Sequence, residues 1–228
     1  MEMCCKMNSN HILLISNQRT GSSALASAME NKLGYVSKGE ILLNVQDDFE
    51  RINLISTLES EPDKKIIVLF KWDQILDCLS LPRNNSQIAN FTTIQGSQHP
   101  LIKYLKGHHF RKFVLQRSPL ETLVSSLIAS NTGIWHKTGE FSEQLEPHII
   151  GLSRAIGLNV GELIDYSNWV KITDALASNF VKKFNYEKLT YEDLYEKKKE
   201  IMFDIGDVRL QVSLKDSSLI KLANLENN

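Results

Sequence analysis

Residues His11–Gly34 read HILLISNQRTGSSALASAMENKLG, and the fold turns on how this stretch changes character twice. Ile12–Ser16 (ILLIS) is a continuous apolar run, the form taken by a strand buried on both faces of a parallel sheet. From Ser22 to Leu33 the pattern becomes helical, with Ala24, Leu25, Ala28 and Met29 on one face and Gly34 as a C-terminal stop. Between them lie Asn17, Gln18, Arg19, Thr20 and Gly21, at the point where strand gives way to helix. A helix start presents unpaired backbone N–H groups and a partial positive charge, which together suit a phosphate or sulfate. Gly21 lets the backbone approach such an anion closely; Thr20, Ser22 and Ser23 add hydroxyl donors, and Arg19 adds a full charge on a bidentate fork. The dipole alone contributes about 0.3–1 kcal/mol when exposed, so Arg19 carries much of the charge specificity. The competing reading is an ordinary serine-capped helix with a surface arginine. The Walker A pattern G-x-x-x-x-G-K-[ST] is not matched, because the loop has one glycine and no lysine before its hydroxyls.

Working outward, Lys65–Phe70 (KIIVLF) reads as a second buried strand and Lys112–Gln116 (KFVLQ) as a third. The third runs through Arg117-Ser118-Pro119 into a helix from Leu120 to Ser130, with Pro119 in the first turn, where its missing N–H costs nothing. Ligands in open α/β sheets bind outside the carboxyl ends of strands, so the two cationic strand-to-helix turns mark the site. Arg117 and Ser125 are eight residues apart, a spacing that brings both near one helix face to grip a single phosphate. Ile164–Lys183 has helical spacing, and Asn185–Thr190 and Val208–Leu214 read as short strands. The expected architecture is a P-loop-like three-layer α/β/α fold, with a central, mainly parallel sheet in a single compact domain spanning residues 1–228. Residues 1–10 are expected to be a flexible N-terminus, and the polar segment Leu81–His99 a lid or acceptor loop.

Charge is balanced, 26 Lys and Arg against 27 Asp and Glu, so a nucleic acid or an anionic membrane is not expected as the main partner. Any highly charged ligand must be held by locally placed cations. Cys4, Cys5 and Cys78 form neither a metal-ligand spacing nor an even disulfide set, and free thiols fit a reducing compartment. No apolar segment is long enough to span a membrane and the N-terminus lacks a signal-peptide core, so a cytoplasmic protein is expected. Oligomeric state leaves no signature in the sequence.

The pair of turns, RTGSS after the first strand and Arg-x7-Ser after a later one, resembles the sulfotransferases that use 3′-phosphoadenosine 5′-phosphosulfate (PAPS). In that family a K/R-[ST]-G-[ST]-[ST] loop holds the 5′-phosphosulfate, and a later Arg and Ser hold the 3′-phosphate. The resemblance assigns the first role to Arg19, Thr20, Gly21, Ser22 and Ser23, and the second to Arg117 and Ser125. The likeness is closer to the bacterial trehalose and nodulation-factor sulfotransferase branch. It is carried there by SKGEILL (Ser37–Leu43), VLFKWDQI (Val68–Ile75), SSLIASNTGIWH (Ser125–His136) and LTYEDL (Leu189–Leu194). It implies transfer of a sulfuryl group from PAPS to a hydroxyl of a small metabolite, sugar or glycolipid, releasing 3′-phosphoadenosine 5′-phosphate (PAP), with no metal. A phosphotransferase of the P-loop type and a non-catalytic nucleotide-binding module are the alternatives.

Sulfuryl transfer resembles phosphoryl transfer, so the protein must orient the acceptor hydroxyl, stabilise charge on the leaving phosphate and take a proton. The candidate catalytic groups are Glu40, Arg19 and Lys71. Arg19 stands where many relatives have lysine; it stabilises charge but is a poor proton donor. Lys71, at the end of the second apolar run, is placed to reach the transferring group, or else is a snorkelling edge lysine. Glu40, after a Lys38-Gly39 turn beyond the first helix, matches the acid of the branch's G-E-[LIY]-F-like motif and is the candidate base; the bland alternative is a surface acid or a cap. Cytosolic relatives carry a histidine base two residues after the strand lysine, and Asp73 stands there instead, as an alternative base. His136 is a third candidate. Trp135 would line the nucleotide or acceptor pocket, or pack in the core.

Overall fold

The computed structural model describes residues 10–43, 45, 47–60, 64–81, 91–107, 110–132, 137–138, 160–195, 201–205, 208–212 and 219–220. Its centre is a five-stranded parallel sheet built from β1 (His11–Ser16), β2 (Val36–Glu40), β3 (Ile66–Lys71), β4 (Arg111–Gln116) and β6 (Glu187–Thr190), in the order β2-β3-β1-β4-β6. The apolar runs of β1 and β3 lie at its middle, buried on both faces, as their lack of alternation requires.

Successive residues of these strands point to opposite faces, which divides the core in two. Leu13, Ile15, Val68, Phe70 and Val114 face α2 (Asp48–Glu59), α5 (Pro100–Lys106) and α7 (Val160–Phe184), meeting Ile55, Leu105 and Phe180 among others. Ile12, Leu14, Ile67, Leu69 and Phe113 face α1 (Ser22–Leu33), meeting Leu25, Met29 and Leu33. The result is the expected α/β/α sandwich. Its topology explains the asymmetry of the layers. From β1 the chain steps outward to β2 across one face through α1. It then returns through β3, passes to β4 and reaches β6 with α2, α5 and α7 on the other face. Right-handed crossovers require that a reversal of direction be a change of face. The reversal leaves a crevice outside the carboxyl ends of β1 and β4, the topological switch point where such sheets bind ligands.

Several boundaries and elements differ from the sequence reading. The helix after β4, α6, runs from Pro119 to Thr132, and α7 begins four residues before Ile164. β2 has no apolar signature because it is an edge strand with a half-exposed pattern, and its pairing with β3 shifts register between Ser37 and Glu40. Glu40 is therefore the last residue of a strand and not part of a free turn. The strand read at Val208–Leu214 is β8 (Val208–Val212), but it pairs antiparallel with β7 (Ile201–Ile205) in a separate hairpin. β5 (Lys137–Thr138) and β9 (Leu219–Ile220) form another small pair. The sequence reading missed α2, α3 (Trp72–Cys78) and α5; the polar segment read as a lid contains a short helix, α4 (Phe91–Gly96), while 82–90 lie outside the described residues. Residues 1–9, read as the flexible N-terminus, lie outside them too. Lys112, at the start of the third apolar run, is buried in β4 and donates to the Phe184 carbonyl at the end of α7. No helix among the described residues is long and apolar enough to cross a membrane.

Candidate active site

Strand register brings the first two groups together. Ser16, the last residue of β1, lies directly opposite Lys71, the last residue of β3. The Lys71 ammonium, on a side chain only 3% exposed, donates to Ser16 Oγ (3.1 Å), the Asn17 carbonyl (3.3 Å) and Ser22 Oγ (2.6 Å). A lysine from β3 thus props the loop and the first residue of α1 from below. Burial lowers its pKa, and this is opposed by Glu40, whose Oε1 lies 3.6 Å from Nζ. Glu40 is also gripped by Gln74 in the first turn of α3: Gln74 Nε2 donates to Glu40 Oε2 (3.0 Å), while Gln74 Oε1 accepts from the Lys71 backbone N–H (3.4 Å). Glu40, Lys71 and Gln74 form a closed triangle, with the Glu40 side chain 24% exposed on its open side.

Above this triangle the loop Asn17–Gly21 makes its turn. Thr20 is buried and donates to the Asn17 carbonyl (2.9 Å), and Arg19 adopts a left-handed φ of 59°. Gly21 caps α1 with φ 86° and no side-chain cap, unlike α2, whose first turn is capped by Asp47 Oδ1 accepting from the Glu50 N–H (2.8 Å). The first turn of α1 thus has no side-chain acceptor at its cap, as an anion-binding helix start requires. Only glycine fits at position 21. A Cβ there would lie 2.5 and 2.6 Å from Cδ2 and Cε2 of Tyr191, the first residue of α8 (Tyr191–Tyr195).

The second turn joins the first at this point. Arg19 Nε donates to Ser125 Oγ (3.1 Å) from α6, and Arg117 Nη1 donates to the Arg19 carbonyl (3.1 Å). The Arg117 guanidinium lies 4.5 Å over the Tyr191 ring, and its Nε and Nη2 both donate to Glu121 Oε2 (3.1 and 3.0 Å). Burial and the nearby Arg117 lower the Arg19 pKa, the signature of two cations held close together. Asn17 Oδ1 is buried without a hydrogen-bond partner among the described residues and calls for a water or ligand donor.

Nearly all the residues singled out from sequence converge: Arg19, Thr20, Gly21, Ser22, Lys71, Glu40, Arg117 and Ser125 form one contiguous cluster, with half-buried Ser23 following in the first turn of α1. Two details depart from the reading. Arg117 and Ser125 meet through Arg19, whose Nε donates to Ser125 and whose carbonyl accepts from Arg117, and Arg117 is also held by Glu121 in the first turn of α6. Asp73 accepts from Gln18 Nε2 (3.2 Å), tying the loop to α3, so its carboxylate is already engaged. Trp135 and His136 lie outside the described residues. The sequence reading assigned no role to Gln74, Glu121 or Tyr191. The signal for Glu121 was its i,i+4 spacing from Arg117 at a helix start; Gln74, within three residues of Lys71, gave none. Among the described residues no group of three or more His, Cys, Asp or Glu side chains is placed to hold a metal ion. Compared with known proteins, the chain matches no protein-family model and no curated sequence.

Proposed function

We propose that this protein is a PAPS-dependent sulfotransferase of the cytoplasm, related to the trehalose and nodulation-factor branch, that sulfates a hydroxyl of a small metabolite, sugar or glycolipid. One observation carries the reading: two cationic strand ends, distant in sequence, meet at an uncapped helix start in the crevice between β1 and β4. A donor with phosphates at both ends of its ribose needs two such anion subsites. The first turn of α1 with Arg19 and Lys71 suits the 5′-phosphosulfate, and Arg117 with Ser125 suits the 3′-phosphate. In the reaction the acceptor oxygen attacks sulfur in line, the bond from sulfur to the phosphate oxygen breaks, and PAP leaves with the electron pair. Lys71 and Arg19 stabilise the charge that develops on the sulfuryl and bridging oxygens. The hydroxyl proton passes to Glu40, a partly exposed carboxylate beside the Lys71 ammonium.

Calorimetric titration of PAP against adenosine 5′-monophosphate tests the reading directly. Wild type is expected to prefer PAP, and Arg117→Ala to reduce that preference by about 10-fold or more, the worth of a hydrogen bond to a charged group. Equal affinities in wild type would defeat the proposal. A phosphoryl-transferring P-loop relative is favoured by one feature, the Lys71 ammonium on Ser22 Oγ, a lysine delivered from β3 to the start of α1. Magnesium-dependent turnover of ATP, with no preference for a 3′-phosphate, would select that reading. Tight PAP binding without transfer to any acceptor hydroxyl would select a non-catalytic module.

A further inference from the structure

Arg117 is held on several sides in the crevice. Its side chain is 5% exposed, and one face lies on the Tyr191 ring. Nε and Nη2 are held by the single oxygen Oε2 of Glu121, and Nη1 is held by the Arg19 carbonyl. A guanidinium has five N–H donors; three are committed here, and the remaining two are on Nη1 and Nη2. Those two are the pair able to fork onto a phosphate. An arginine held by only one of these contacts would swing among rotamers, and each phosphate it bound would cost the entropy of fixing it. The Glu121 side chain, by contrast, is 39% exposed, so the acid is not buried for packing.

We infer that Glu121 is a positioning residue that holds Arg117 with two N–H groups presented to the 3′-phosphate, and so sets the discrimination between nucleotides with and without it. The inference rests on the function proposed above and adds to it a determinant outside the phosphate-binding motif. It assigns Glu121 no contact with the nucleotide; its effect runs through the orientation of Arg117.

The test compares full-length wild type, Glu121→Gln and Glu121→Ala by calorimetric titration with PAP and with adenosine 5′-monophosphate. The readout is the ratio of the two dissociation constants. Glutamine keeps a neutral acceptor in place, so the ratio is expected to fall about 5-fold, and alanine removes the anchor, for a fall of about 30-fold, in line with charge-assisted bonds being about twice as strong as neutral ones. Affinity for the monophosphate should change far less, which a general loosening of the fold would not produce. If the alanine variant does not fold, the glutamine variant decides alone. A ratio unchanged or raised in Glu121→Gln would overturn the inference, a rise showing that Glu121 competes with the phosphate for Arg117. A wild type that prefers neither nucleotide would overturn the sulfotransferase reading, and this inference with it.

Discussion

Gly21→Ala probes the junction on which the whole site rests, and Gly34→Ala supplies its control. Both glycines flank α1 and both have left-handed φ, 86° and 69°. An alanine in that conformation costs about 1–2 kcal/mol, offset in part by about 0.4–1 kcal/mol from the reduced freedom of the unfolded chain. That conformational contribution is common to the two sites. What differs is the surroundings. A Cβ at position 34 meets nothing within 4 Å, whereas at position 21 it would stand 2.5 Å from the Tyr191 ring. Tyr191 is 4% exposed and packed with Leu189 and Leu194, so it has little room to retreat. Relieving such an overlap in a packed core costs about 1–3 kcal/mol. Urea unfolding should therefore place Gly21→Ala below Gly34→Ala by that amount, and Gly21→Ala with Tyr191→Leu should recover part of the difference. Because Arg117 lies on the Tyr191 ring, PAP affinity should also fall in Gly21→Ala and not in Gly34→Ala. Equal stability of the two single variants, within about 0.5 kcal/mol, would refute the claim that Tyr191 forms the wall of the loop.

Three further outcomes are expected. Lys71→Met should lower sulfuryl transfer by about 10²–10³-fold, the usual effect of removing one donor from a charge-stabilising site, and the melting temperature should fall as well, because Ser16, the Asn17 carbonyl, Ser22 and Glu40 all lose the ammonium they contact. Glu40→Gln should lower transfer by about 10²–10⁴-fold with PAP affinity retained, measured by single-turnover transfer and calorimetry; loss of binding instead would remove Glu40 from the role of base. Stability should depend on alkaline pH in two opposing ways. Burial lowers the Lys112 pKa below its ordinary 10.5, so the unfolded chain binds more protons and stability rises with pH up to that value. Burial raises Tyr186 well above 10.0, so beyond pH 10 the unfolded chain binds fewer protons and stability falls. Urea midpoints from pH 7 to 11 should thus pass through a maximum, and Lys112→Met should flatten the rising limb.

What was legible in the sequence is what local physics writes there. The buried strands β1, β3 and β4 are apolar runs because both their faces are covered, and α1 shows helical spacing and a glycine at each end. The edge strand β2 was illegible because an edge has no need of a continuous apolar run, and only two of its residues pair with β3 before the register shifts. α3 was hidden for a different reason: it follows β3 with no intervening loop, so Lys71 ends one element and caps the next. Arg19, Arg117 and Lys71 were found because a cation at a strand end is conspicuous. Gln74 and Glu121 were missed because their roles exist only through the groups they touch, and those contacts follow from register and helix phase.

The same contacts explain how a chain with almost no net charge holds three cations in one crevice. Three cations gathered in one crevice would repel one another, and burying them without partners would cost several kcal/mol each. Each is instead given a local partner: Lys71 has Glu40, Arg117 has Glu121, and Arg19 has the neutral hydroxyl of Ser125. Burial and the neighbouring cation Arg117 together lower the Arg19 pKa. An anion seated between Arg19 and Arg117 would offset the repulsion of the two guanidiniums.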